Sequence, residues 1–245
     1  MELSVIASGS NGNCYLLEEN GTAVLIDAGI TLRETARRIA ALGRDIRKIN
    51  GIVLSHAHSD HYLGVGAIAR NLNVPVYADR EVYAACRERL GKVDIRHFEG
   101  KFRVNEMEIT PVETSHDVPS FGFVSGRLGI FTDTGRATSG MREAIGDLDV
   151  VVLESNYDEE MLENGPYPER LKARIASDQG HLSNDDASDF IRRYGAHLSL
   201  VLLAHLSEKN NTTKLVKETF EELNPESRYV ICSRLRETGT YRIDE

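Results

Sequence analysis

The segment His56-Ala57-His58-Ser59-Asp60-His61 puts four metal-competent side chains within six residues. At spacings i, i+2, i+4 and i+5 they cannot share one helical face, but a loop leaving a strand end can fold them round one centre. The apolar run just before them, Gly51-Ile52-Val53-Leu54, reads as a buried strand. Three imidazoles with one carboxylate suit a borderline divalent ion, zinc or manganese first and iron or nickel next, better than calcium or magnesium. One ion would leave donors over. With more His and Asp downstream, the set implies two divalent ions close together, as in metal-assisted hydrolases.

A chain of 245 residues buries a large core without staples, and no low-complexity segment or linker divides it, so a single domain over 1–245 is expected. It has no apolar run long enough to span a membrane, and Met1-Glu2-Leu3-Ser4-Val5-Ile6 lacks the basic start of a signal peptide. Cys14, Cys86 and Cys232 are scattered and odd in number, which fits a reduced, cytoplasmic location and not a disulfide framework. A net charge of -9 argues against a general nucleic-acid coating protein. It weighs less against a nuclease, because two divalent ions would bring four positive charges to the pocket.

The positioning elements are expected to alternate. Strand-like runs 3–7 and 14–18 flank Ser8-Gly9-Ser10-Asn11-Gly12-Asn13, a small polar loop whose backbone N–H groups could approach an anion, or which could be an ordinary hairpin turn. Ser8 and Asn13 are the substrate-binding candidates there. A further strand over 22–26 ends at Asp27, placed to orient a metal-bound His from behind or simply to make a turn before Gly29. The next helix should turn Leu32, Ala36, Ile39 and Ala40 inward and Arg33, Arg37 and Arg38 to solvent. Helices are expected over 63–72, 80–90, 137–145, 185–194 and 212–223. Strands are expected over 74–78, through 95–132 in short pieces, and over 150–153, 200–203, 228–232 and 240–243. The two halves mirror each other, which predicts an α/β fold: an αβ/βα four-layer sandwich, two mixed sheets face to face with helices outside.

Four later residues sit at expected strand ends or turns: His116, Asp133, His181 and His205. His97 and His197 lack such a setting. In this order, after the first cluster, the pattern resembles the metallo-β-lactamase superfamily, with its His-x-His-x-Asp-His loop followed by a His, an Asp and a final His. The resemblance covers the whole chain and implies that His56, His58 and His116 hold one ion, that Asp60, His61 and His205 hold the other, and that Asp133 bridges them. It also gives Asp27 the supporting position after the third strand.

Within that superfamily the chain is most similar to the YycJ or WalJ branch of bacterial exonucleases acting on DNA 5′ ends. The residues that carry this are 7–13, Leu153-Glu154-Ser155-Asn156-Tyr157-Asp158, Gly165-Pro166-Tyr167-Pro168, Leu171-Lys172 with Arg174-Ile175, Gly180-His181-Leu182-Ser183-Asn184 and Leu203-Ala204-His205-Leu206-Ser207. The interval from Asp133 to His181 holds no inserted domain, unlike RNase J, and has no room for the long arm of tRNase Z.

The resemblance implies a hydroxide bridging two ions as nucleophile, with Asp60 in the catalytic set. His181 matches the position where tRNase Z and cyclic phosphodiesterases keep a non-ligand His, which makes it the candidate general acid, and Glu154 its orienting partner. The rivals are a small cyclic or nucleotide phosphodiesterase, a thioester hydrolase like glyoxalase II, and a metal-held regulatory protein without turnover. A thiolate leaves unaided and has little use for His181, which favours phosphodiesters. Arg170, Lys172 and Arg174, on a short helix opened by Pro168, form either a DNA backbone clamp or a solvated basic face.

Overall fold

The computed structural model describes residues 1–243, and the chain divides into two compact units. The first comprises Met1–Pro111 and the stretch from Ser233. The second is Val112–Cys232.

In the first unit β1 (Glu2–Ala7), β2 (Cys14–Glu19) and β3 (Thr22–Ile26) pair antiparallel. Helix α1 (Leu32–Ala41) then crosses to β4 (Gly51–Val53), which lies parallel to β3. A single helical turn, α2 (Ser59–Tyr62), and α3 (Val65–Leu72) lead to β5 (Val76–Ala78), and α4 (Arg80–Leu90) leads to β6 (Ile95–His97), both strands again parallel to their neighbours. After β7 (Phe102–Val104), β8 (Met107–Glu113) runs on into the second unit.

There β9 (Phe121–Ser125) and β10 (Leu128–Phe131) make a hairpin. Helix α5 (Ser139–Ala144) precedes β11 (Val150–Glu154). Three helices, α6 (Glu159–Asn164), α7 (Glu169–Ile175) and α8 (Asn184–Tyr194), precede β12 (Leu200–Ala204), and α9 (Thr213–Leu223) precedes β13 (Tyr229–Ile231). Strands β10 to β13 are all parallel. The chain returns to the first unit as β14 (Gly239–Arg242), antiparallel to β1. One seven-stranded sheet has the order β14-β1-β2-β3-β4-β5-β6 and the other β13-β12-β11-β10-β9-β8-β7. These are the two mixed sheets with helices that the alternation predicted.

Strands β11 and β12 are buried at every residue, which is why they read as unbroken apolar runs and not as alternating ones. Phe131, Leu153 and Leu203 pack with Phe190 of α8 and Phe220 of α9 in one core. Helix starts follow capping chemistry: Thr31, Asp79, Ser183 and Thr212 each accept a backbone N–H of the first turn, worth about 1 kcal/mol apiece.

Several expectations shift. The metal-competent segment is not all loop, because Ser59–Tyr62 winds into α2. Helix α6 has no counterpart among the expected elements. Arg38 is not a solvated residue: it is 8% exposed and donates to Ile6 O and Leu235 O, with Glu34 neutralising it at 2.8 Å. Its chain end takes up backbone carbonyls that a shorter residue could not reach, and on this helix Thr35 is buried while Ala40 is exposed. Among the described residues no helix is long and apolar enough to cross a membrane.

Candidate metal centre

Parallel pairing decides which side chains share a sheet edge. In the first unit β3 and β4 run together, so Asp27, just past β3, and Ser55, just past β4, leave the same C-terminal edge, where open α/β sheets place ligands. Asp27 Oδ1 accepts the Ser55 N–H at 2.8 Å and Oδ2 accepts its hydroxyl at 2.7 Å. The same Oδ2 lies 2.7 Å from His61 Nδ1. Ser55 Oγ is also 3.0 Å from His56 Nδ1, and the His56 ring packs against His61 and His58 at centroid separations of 4.0 and 4.8 Å. Ser55 is not among the residues that spacing singles out. A serine just past an apolar strand, one residue before the first His, is the available signal.

The Ser8–Asn13 loop backs this cluster. Ser8 and Asn13, expected to face substrate, are both buried. Asn13 N–H donates to Asp60 O at 2.7 Å, and Gly29 N–H donates to Asn13 O at 2.8 Å. The fit depends on Gly29, where an added Cβ would stand 1.6 Å from Asp60 O. Gly29→Ala therefore has to push the α2 backbone away. It is expected to cost at least about 1–3 kcal/mol, a fall in Tm of roughly 2–10 °C by calorimetry, and to weaken metal binding through Asp60. An unchanged Tm would show that the Asp60 peptide yields freely.

In the second unit the parallel strands β10, β11 and β12 bring Asp133, Glu154 and His205 to one edge. Glu154 Oε1 lies 2.7 Å from His205 Nδ1 and 2.7 Å from His181 Nδ1, while Oε2 accepts the N–H of Thr134 at 2.9 Å. His181 is brought to it by backbone pairing between its loop and the one after β11, through Asn156 N–H to Leu182 O and Asn184 N–H to Tyr157 O. Burial alone would raise the pKa of the Glu154 carboxyl, yet the His181 charge and the imidazole hydrogen bonds outweigh it and hold the group low. Burial likewise opposes the charged form of His181, but the Glu154 carboxylate beside it prevails and raises its pKa. His116 goes the other way, lowered by burial against the pull of Asp133.

His116 donates from Nδ1 to Gly180 O at 3.0 Å, and its ring lies 5.3 Å from that of His181. His205 Nε2 faces Asp133 Oδ1 at 3.6 Å. Asn156, whose motif alone suggests no role for it, donates to His205 O at 2.8 Å and holds that residue's left-handed backbone, φ 55°. Asp27 and Asp133 also adopt left-handed φ, both 58°. That conformation is uncommon outside glycine and clusters where function requires it.

The donor chemistry fits divalent metal. His61, His116 and His205 each tie Nδ1 to a carboxylate or carbonyl, the arrangement that fixes tautomer and ring orientation and turns the Nε2 lone pair toward an ion. Within the second unit Asp133, Glu154, His181 and His205 each place one ligand atom within 4.8 Å of the others.

Of the expected clamp, Arg170 is exposed and Arg174 reaches Asp117, beside His116, at 3.5 Å. Lys172 is spent within its own segment, on Glu163 O at 2.6 Å and Glu169 Oε1 at 2.9 Å.

Sheets of this order, with acids and imidazoles at the ends of their parallel strands, define a metal-dependent hydrolase of the metallo-β-lactamase fold. Residues 22–205 match the family described as the beta-lactamase superfamily domain, and the chain belongs to it. It is 35% identical over 229 residues to the exodeoxyribonuclease WalJ of Streptococcus pneumoniae, covering 88% of this chain and 85% of the relative. It is 32% identical over 243 residues to the exodeoxyribonuclease YycJ of Bacillus anthracis, covering 91% and 89%. Its fold matches the metallo-beta-lactamase fold protein YhfI from Bacillus subtilis with a TM-score of 0.75 at 15% identity, covering 98% of each chain.

Proposed function

We propose that this protein is a dinuclear-metal-dependent DNA exonuclease acting from 5′ ends, with residues 1–245 working as one hydrolase domain in the cytoplasm. The pairing of His181 with Glu154 carries the reading toward phosphodiesters, and the similarity to the named exodeoxyribonucleases supports DNA. Cys14, Cys86 and Cys232, all buried and none of them in a disulfide, suit a reducing compartment.

In this reading His56, His58 and His116 would hold one ion, Asp60, His61 and His205 the other, and Asp133 both, with zinc or manganese preferred and iron or nickel tolerated. When bound, the ions supply a nucleophile from water near neutral pH and take up charge developing on phosphorus. The remaining work falls to side chains. Asp27 and Glu154 hold His61 and His205 by Nδ1, so each ring presents Nε2 in one orientation. Charged His181 keeps its Nδ1 proton, donated as a hydrogen bond to Glu154 Oε1, and gives its Nε2 proton to the leaving oxygen, which would otherwise depart as an alkoxide. Glu154, bonded also to Thr134 N–H, stays in place through the transfer.

Arg170 and Arg174 would grip the DNA backbone, without Lys172. Degradation of 5′-end-labelled DNA with manganese should fall selectively in the Arg170→Glu, Arg174→Glu double variant, with a small phosphodiester unaffected and Lys172→Glu closer to wild type. Two phosphate contacts also give a shallow log–log salt slope, about -1.4 to -1.8. Equal DNA activity in both proteins would remove the clamp. No DNA cleavage by wild type with any divalent metal would shift the substrate to a small cyclic or nucleotide phosphodiester.

A further inference from the structure

Asn13 meets the candidate ligands in an orientation the structure defines. Its Oδ1 accepts the Gly9 N–H at 3.0 Å, so the amide nitrogen points the other way, toward His61 Nε2 at 2.8 Å. On the far side of that ring Nδ1 faces Asp27 Oδ2 at 2.7 Å. An amide nitrogen only donates, so the Nε2 it meets is the ring's lone pair and Nδ1 carries the proton toward Asp27. Asn13 therefore donates an N–H into it. Both residues are fully buried, so the contact is not diluted by solvent.

A neutral imidazole has one such lone pair, and an amide N–H and a metal ion cannot both use it. We propose that Asn13 is a built-in competitor for the His61 lone pair, which weakens and keeps exchangeable the ion that His61 helps to hold. The inference rests on the ligand assignment proposed above. When an ion takes Nε2, the displaced N–H has acceptors close by in Asp60 Oδ2 at 3.4 Å and Gly9 O at 3.3 Å. The His61 ring keeps its aim meanwhile, because Asp27 and Ser55 hold it from Nδ1. Asn13 thus lowers the affinity without spoiling the geometry, and a purely supporting residue would do the opposite. The consequence is a two-ion centre with unequal sites, one of which fills only as available metal rises.

The test is metal titration of chelator-stripped protein with zinc, followed by calorimetry with a competing chelator. In Asn13→Ala the weaker ion should bind about three- to tenfold more tightly, the worth of one net hydrogen bond, while the stronger ion is unchanged. Weaker or unchanged binding of that ion overturns the competitor role. Because Asn13→Ala also loses the Gly9 contact, a second measurement uses wild type alone. A scalar coupling between the Asn13 amide nitrogen and His61 Nε2 should be present in stripped protein and vanish on adding zinc, and its absence before metal or persistence after it overturns the proposal. His61→Ala should retain one ion. If it retains both, the ligand assignment fails and the inference with it, whereas loss of one ion without tightening in Asn13→Ala sinks the role of Asn13 alone.

Discussion

Asp133→Ala is expected to leave about one bound ion or fewer and to abolish hydrolysis, because a carboxylate shared by two ions has no substitute in the proposed set. The local structure marks the residue out. Asp133 is 1% exposed, two residues past the end of β10, with a left-handed φ of 58°. A buried acid in a conformation that most residues avoid is unfavourable on two counts, so its surroundings must impose it. They do so through the next residue, whose N–H is held by Glu154, and Glu154 also holds His205. The substitution removes the carboxylate and, since alanine tolerates a positive φ less well than aspartate, adds a backbone strain of about 1 kcal/mol. Metal content measured after purification without chelator, set beside turnover of a phosphodiester, checks the result. Two ions still bound in the variant would take Asp133 out of contact with metal.

The first cluster was legible in sequence because its donors are adjacent, and local spacing suffices to bring them together. The later residues could be read only in order, since His116, Asp133 and His205 meet through strand pairing that no short window contains. Asp27 was readable as a strand-end acid, and β3 and β4 running parallel put it beside Ser55 and His61. What stayed hidden was the second use of side chains. Nothing local shows that one Glu154 oxygen lies 2.7 Å from two imidazoles, 27 and 51 residues further on. The Ser8–Asn13 loop can be read either as a set of N–H groups for an anion or as a hairpin turn, and neither reading shows that Asn13 is buried, with its N–H on Asp60 O and its amide nitrogen 2.8 Å from His61 Nε2. Arg38 was misread for a related reason: helical periodicity ranks a charge as outward, and buried carbonyls at the end of a long side chain reverse that ranking.

The two units solve the same problem with different acids. In the first, Asp27 serves one imidazole, His61. In the second, the longer Glu154 serves His205 in the equivalent way and has a further partner in His181. If His205 is a ligand and His181 an acid, one carboxylate orients both, and the two roles separate by what each Nε2 meets. His181→Ala should therefore keep both ions, since Glu154 still holds His205 and Asn156 still holds its backbone. Activity on an alkyl phosphodiester should fall by about 10²-fold or more, while a nitrophenyl ester, whose phenolate leaves without a proton, should lose much less. The Glu154 carboxylate beside His181 raises its pKa, the direction a proton donor requires. Equal losses on the two substrates would count against proton donation. Loss of metal would instead place His181 among the ligands, a role open to it because its donor atom lies with those of Asp133, Glu154 and His205. Glu154→Gln separates the cases further: it should weaken the alkyl phosphodiester reaction as His181→Ala does and also loosen the ion held through His205, since a neutral amide polarises both rings less.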